Sequence, residues 1–273
     1  MKKRSFGISV VVPVYNRKEK LIRAIDSVDT LSPHLVEIIV IDDCSDLAPD
    51  TFLEKSNKYG VNVHIYRNKY NKGPQICRNI GIRRAKFNYI AFLDSDDYFC
   101  MGKIDWLLNI LKDEDIDFLY HAVNGCEKYN RISSYWFNTV GKFIHFRWFL
   151  IFLNPCVTPS VVIKRKVCLF NPCLRYSEDY AYFLSYINSK TKVKYFESIY
   201  TTVPREIGTR GGISHNIIKM RKGEFYGKKN ILRKRRNISN YIRFLISLGM
   251  ACLRVFFDIV RKRYKVNNLF KDI

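Results

Sequence analysis

No stretch of this 273-residue sequence offers about twenty uncharged apolar residues in a row, the length a helix needs to cross a bilayer, so nothing in it reads as membrane-spanning. The eight cysteines include no Cys-x-x-Cys pair and no nearby histidine pairing of zinc type, which excludes a small zinc module. They read instead as reduced, mostly buried thiols of a cytosolic protein. Glycine is absent from PVYNRKE, the turn after the first apolar stretch, where a dinucleotide-binding dehydrogenase or a nucleotidyltransferase would carry a Gly-rich phosphate loop. Acids are scarce too, with 25 Asp and Glu against 47 Lys and Arg, a net charge of +22. That excess calls for an acidic partner: nucleic acid, an anionic membrane or a phosphorylated ligand. It is uneven, since positions 217–273 hold sixteen of the basic residues and three of the acidic ones. The opening, MKKRSFGISVVVPVY, imitates a signal peptide, but its apolar run is short, contains Pro13 and leads into NRKEK without a small-residue cleavage site. A first β-strand is the better reading.

What is present is an alternation. Ile8 to Val14 is β-branched and bounded by Gly7 and Asn16, as a buried strand is. Asn16 can cap the segment that follows, with Glu19 completing a capping box, and Leu21, Ile22, Ile25 and Val28 then recur at helical spacing. Further strands are predicted at Val36 to Ile41, ending in Asp42 and Asp43, and at Val61 to Tyr66, leading into the loop and basic helix of NKYNKGPQICRNIGIRRA. With the next strand, Tyr89 to Leu93, this is the pattern of a parallel, doubly wound α/β sheet.

That next strand organises the rest. It runs directly into Asp94, Asp96 and Asp97, which places three carboxylates at a strand's carboxyl end, where open α/β sheets bind ligands. Anions so close repel one another by roughly 1 kcal/mol per pair in water, and by more as solvent is excluded. A hard divalent ion such as Mg²⁺ or Mn²⁺ would relieve them and could hold a substrate diphosphate. The same acids would also serve as a solvated turn, with Asp97 or Ser95 capping the next helix.

Between Phe118 and Ser160 aromatics are dense and aperiodic, a composition that suits core first and sugar-stacking faces second. Pro159 to Lys164 reads as a strand. LRYSEDYAYFLSYI then puts Glu178 and Asp179 on the first turn of a helix, with Ser177 as its cap. PREIGTRGGISH, with Arg205, Arg210 and His215 among its glycines, suits a loop that closes over a diphosphate, or simply a surface loop.

Taken together, ISVVVPVYNR, VEIIVIDDCSD, NKGPQICRNIGI, YIAFLDSDDY and the stretch from TPSVVIKRKV to SEDYAYFLSY resemble, in order, the motifs of the family 2 glycosyltransferases, which have the GT-A fold. The resemblance implies a Rossmann-like, mostly parallel sheet flanked by helices, a catalytic domain over 1–216 with a nucleotide-sugar half (1–120) and an acceptor half (121–216), and a basic amphipathic region over 217–273. It implies that Pro13, Tyr15 and Arg17 border the nucleotide, that Asp43 accepts from the uracil ring, and that Lys72 and Arg78 flank base and phosphates. Asp94 and Asp96 match the Asp-x-Asp signature, one near the ribose and one on Mn²⁺ or Mg²⁺, with Asp97 beside them; which of the three holds the ion stays open. Asp179 would be the general base with Glu178 in support, and Arg205 or Arg210 would help hold the departing diphosphate. The departure from the family lies in EIGTRGG, which puts the role of His215 in doubt. Implied overall is an inverting, metal-dependent transfer of a hexose from a UDP-sugar to a lipid-diphosphate-linked (undecaprenyl-type) saccharide, for O-antigen or capsule.

Over 237–262 a narrow polar stripe faces a wide apolar face with basic clusters on either flank. This suits a helix lying in an anionic membrane surface, hence a peripheral protein at the inner face of the cell membrane, or else a helix packed on the catalytic domain. Nucleic acid fits poorly, because aromatics within an apolar helix do not read phosphates. The alternatives are a UDP-sugar transferase acting on a soluble or protein acceptor, and a non-enzymatic basic α/β protein binding nucleic acid.

Overall fold

The computed structural model describes residues 5–55, 57–204 and 216–234, together with 245, 246 and 249. Arg205, Arg210, His215 and most of the predicted amphipathic helix lie outside the described residues. Four strands, β1 (Ile8–Val14), β2 (Val36–Asp42), β3 (Asn62–Arg67) and β4 (Tyr89–Phe92), pair in parallel in the order β3-β2-β1-β4. Every residue of β1, β2 and β4 is buried, which is why their sequences are nearly unbroken apolar runs. Alternate side chains feed two cores. Val10, Val12 and Val14 meet α1 (Lys18–Asp26) and α3 (Lys103–Asp113) on one face, while Val11, Ile39 and Ile41 meet α2 (Pro74–Arg84) and α6 (Glu178–Tyr186) on the other. Gly81 lets α2 come close, since a Cβ there would stand 2.3 Å from Val11 Cγ1.

Beyond β4 the sheet becomes mixed. β7 (Val162–Lys164) runs antiparallel to β4 and to β6 (Phe118–Asn124), β8 (Val193–Thr202) is parallel to β6, and the short β5 (Tyr98–Phe99) is antiparallel to β8. The aromatic-rich stretch supplies α4 (Glu127–Asn138) and α5 (Phe146–Phe152), and much of it is core: Trp136 and Phe149 stack at 4.3 Å, and Phe146 packs on Tyr120. α7 (Ile217–Lys234) lies against α6. Among the described residues no helix is long and apolar enough to cross a membrane.

Two caps differ from expectation. Arg17, not Asn16, occupies the N-cap of α1 and gives no side-chain cap. Asn16 adopts φ 51°, and its amide group donates to Asp46 Oδ2 (3.0 Å) and accepts from the Asp46 backbone (2.8 Å), so it clamps two loops together. Ser177 likewise leaves α6 uncapped; it sits at φ 51° and donates its hydroxyl to the Met220 carbonyl of α7.

Candidate active site

The parallel register sets Val14 beside Asp42, while the Asp43 amide donates to the Val14 carbonyl (2.8 Å) and the Leu93 amide to Val11 (3.1 Å). Tyr15 to Arg17, Asp43 and Asp94 to Asp97 therefore leave the sheet along one edge. Asp43 is buried and accepts three hydrogen bonds, from Asn68 Nδ2 (2.9 Å), the Lys72 amide (2.8 Å) and the Gly73 amide (2.7 Å). Gly73 can aim its N–H there because it adopts φ 91°. These bonds, with the Cys77 thiol also directed at the carboxylate, fasten the loop to β2. Lys72 takes part through its backbone, its ammonium resting 4.8 Å from the Tyr70 ring centroid and outside the cavity wall.

Arg78, buried on α2, joins the two acidic groups. Its Nη2 lies 2.6 Å from Asp94 Oδ1 and its Nη1 2.8 Å from Glu178 Oε1, with the Phe170 ring centroid 5.5 Å away and Nε without a hydrogen-bond partner. Burial pushes the Glu178 carboxyl up to about 7; the Asp179 charge adds to the rise and Arg78 opposes it. Burial raises Asp179 as well, against Arg78, the Tyr180 amide (2.7 Å) and the Thr158 hydroxyl (3.1 Å).

The third acid group is held differently. Asp96 pairs with Arg17 (2.8 Å), and Arg23 donates to the Asp96 carbonyl (3.0 Å). Asp97 has no such partner, and burial, with Asp94 and Asp96 nearby, pushes its carboxyl up to about 8. Among the described residues no group of three or more His, Cys, Asp or Glu side chains is arranged to hold a metal ion. An excess of hard oxygen donors around a buried acid nonetheless fits Mg²⁺ or Mn²⁺ held by one or two carboxylates and the substrate's phosphates, the usual mode for these ions. Behind the cluster, Lys103 is fully buried; its ammonium donates to the Pro159 carbonyl (2.8 Å) and Thr201 Oγ1 (2.9 Å), which ties the start of α3 to the turn bearing Thr158 and to β8.

Two adjoining cavities open here. The smaller, about 410 Å³, is walled by Pro13, Tyr15, Arg17, Asp43, Arg78 and the acid cluster; the larger, about 760 Å³, by α4, α5 and α7. Asp94, Asp97, Thr158 and Asp179 line both. Of the residues the sequence pointed to, all but Lys72 and the undescribed Arg205 and Arg210 thus gather at one place. Sequence reading passed over Thr158, Arg175 and the α7 residues Met220, Arg221 and Glu224; only Thr158 carried a signal, as the residue opening TPSVVIKRKV.

A sequence model of the family described as Glycosyl transferase family 2 matches residues 9–169. An uncharacterized glycosyltransferase of Haemophilus influenzae is 26% identical over 93% of this chain and 90% of its own length. Another, from Rickettsia conorii, is 41% identical over 45% of this chain, a match spanning only 20% of that protein. The Escherichia coli protein WfaP, a UDP-Glc:alpha-D-GlcNAc-diphosphoundecaprenol beta-1,3-glucosyltransferase, is 32% identical over 41% of this chain and 44% of its own. Among solved structures, Staphylococcus aureus TarS with UDP-GlcNAc superposes with a TM-score of 0.67 at 17% identity, over 90% of this chain and 72% of that one. The mannosyltransferase PcManGT of Pyrobaculum calidifontis, with GDP-Man and Mn²⁺, gives 0.63 at 12%, over 92% and 73%. These two establish the fold: GT-A.

Proposed function

Because the chain belongs to glycosyl transferase family 2, we propose that it transfers a hexose from a UDP-sugar, with inversion, to a saccharide carried on a lipid diphosphate, in the assembly of a cell-surface polysaccharide. The observation that carries this reading is the meeting of the two cavities at Asp94, Asp97, Thr158 and Asp179. Donor and acceptor approach from opposite sides of those groups.

In the smaller cavity Tyr15, exposed at its rim, offers a face for the uracil ring, and Asp43 in the same wall accepts from its imide N–H. One or two of Asp94, Asp96 and Asp97 would hold Mn²⁺ or Mg²⁺, which when bound would neutralise the departing diphosphate. Asp179 removes the proton from the acceptor hydroxyl as it attacks the anomeric carbon from the face opposite UDP. Its pKa, raised by burial, brings it toward the operating pH, where a general base works best. Thr158 and the Tyr180 amide fix both carboxylate oxygens, and the Glu178–Arg78–Asp94 chain couples the base's helix to the acid cluster. One in-line displacement inverts the centre and needs no covalent nucleophile. The name of WfaP supports the lipid-diphosphate acceptor, and the basic, apolar sequence of 236–273 supports work at a membrane surface.

Titrating UDP with and without Mn²⁺, then measuring UDP release from a panel of UDP-sugars with a short-chain GlcNAc-diphosphate alkyl acceptor, tests the reading. Metal-dependent UDP binding and acceptor-stimulated release are expected; UDP binding that ignores both metal and Asp96→Ala refutes the metal assignment.

A further inference from the structure

Resting on that reading, we infer that α7 is the acceptor-selecting wall of the site, and that its Arg221–Glu224 pair recognises the hydroxyl groups of the acceptor saccharide. The helix lies beyond residues 9–169, the part matched to the family model.

Three observations place it. First, α7 gives Met220, Arg221 and Glu224 to the wall of the larger cavity. Second, two glycines let the helix approach α6. A Cβ at Gly223 would stand 2.0 Å from the Tyr176 carbonyl oxygen, and one at Gly227 would stand 3.1 Å from Ala181 Cα. Each glycine weakens a helix taken alone, yet both fall on the face that meets α6, one turn apart. Third, Ser177 donates to the Met220 carbonyl (2.9 Å), fixing the register of α7 against the residue that precedes Glu178 and Asp179. The helix is thus indexed to the catalytic base, not merely laid near it.

The chemistry of the pair suits a sugar. Arg221 Nη1 lies 2.8 Å from Glu224 Oε1 and 3.1 Å from Oε2, and both side chains are mostly withdrawn from solvent. A carboxylate so held keeps acceptor positions for hydroxyl donors. Acceptor hydroxyls can therefore donate to Glu224 while Arg221 holds it in place. Ile132, Phe152 and Met220 in the same wall supply apolar surface for the C–H face of a pyranose ring. Tyr129 and Asp179 line the same cavity as the pair.

The test is saturation-transfer NMR on the full chain with UDP and Mn²⁺ present, titrating methyl glycosides of glucose, galactose and GlcNAc against wild type, Glu224→Gln and Arg221→Met, with thermal melts to confirm folding. At least one glycoside should bind wild type. Each variant should weaken it about tenfold, some 1.4 kcal/mol, or change the order of preference, while UDP affinity stays within twofold. Gly223→Ala should act in the same direction by displacing the helix. Binding unchanged in both pair variants overturns the inference, as does a wild type that binds no glycoside. Failure of UDP to bind at all would strike the donor reading instead, and shows in a separate titration.

Discussion

Replacing Arg78 with methionine keeps an unbranched apolar stem but removes the cation that pairs with two acids, Asp94 and Glu178. Breaking a buried ion pair in this way typically costs about 3–5 kcal/mol, because the remaining charge is left uncompensated. Here Glu178 can escape part of that cost by taking up a proton. Burial already raises its carboxyl to about 7, above the ordinary value of 4.5, so in the wild type its ionised form destabilises the fold progressively between those values and by a constant amount above them. Without Arg78 the carboxyl rises further and the native variant holds its proton to higher pH. Since stability falls with pH wherever the native state binds more protons than the unfolded one, the variant's deficit must grow as pH rises past 7, by up to about 1.4 kcal/mol per pH unit. Asp94, partly solvated, contributes less. We expect a deficit of about 2 kcal/mol at pH 6 and about 3–4 at pH 8, read from urea unfolding in EDTA. A deficit that is flat, or larger at pH 6, would refute the account of Glu178.

Asp179→Asn should retain UDP affinity while transfer falls by at least ~10², the usual worth of a general base, as measured by acceptor-stimulated UDP release; near-normal transfer would move the base to Glu178. Gly81→Ala should destabilise by about 1–3 kcal/mol in chemical denaturation despite alanine's better helix propensity, because its Cβ would meet Val11 Cγ1; a neutral result would show that α2 can shift away from β1 at little cost. Truncation after residue 235 should release the protein from anionic vesicles and spare activity on a short-chain acceptor; loss of UDP binding would instead mean that the tail packs on the catalytic domain.

The parallel half of the fold was legible because its signal is local. Ile8 to Val14, Val36 to Ile41 and Tyr89 to Leu93 are buried on both faces, so each reads as an apolar run broken at most by Ser9 or Glu37. β8 was not foreseen, since its burial is partial along most of its length, and neither was β5, which is too short to carry a pattern. The caps failed for another reason. Asn16 and Ser177 have the side chains of N-caps, but both adopt left-handed backbone and spend those side chains on partners far along the chain, Asp46 and Met220, that no local rule names.

The site divides along the same line. Asp43, Asp94, Asp96, Glu178 and Asp179 could be found because each follows a strand or opens a helix, positions where sheet topology alone puts chemistry, whereas Arg78, in the body of α2, was reached only through the family resemblance. What topology does not dictate is how the acids are shared: Arg78 goes to Asp94 and Glu178, Arg17 to Asp96, and Asp97 is left to burial. α7 is the clearest case of information that only packing supplies. Taken alone, Gly223 and Gly227 weaken a helix; against α6 the same two positions bring the helix close, because a side chain at either would meet backbone. A glycine pair one turn apart is ambiguous until its neighbour is known, and here the neighbour is the helix that carries Glu178 and Asp179.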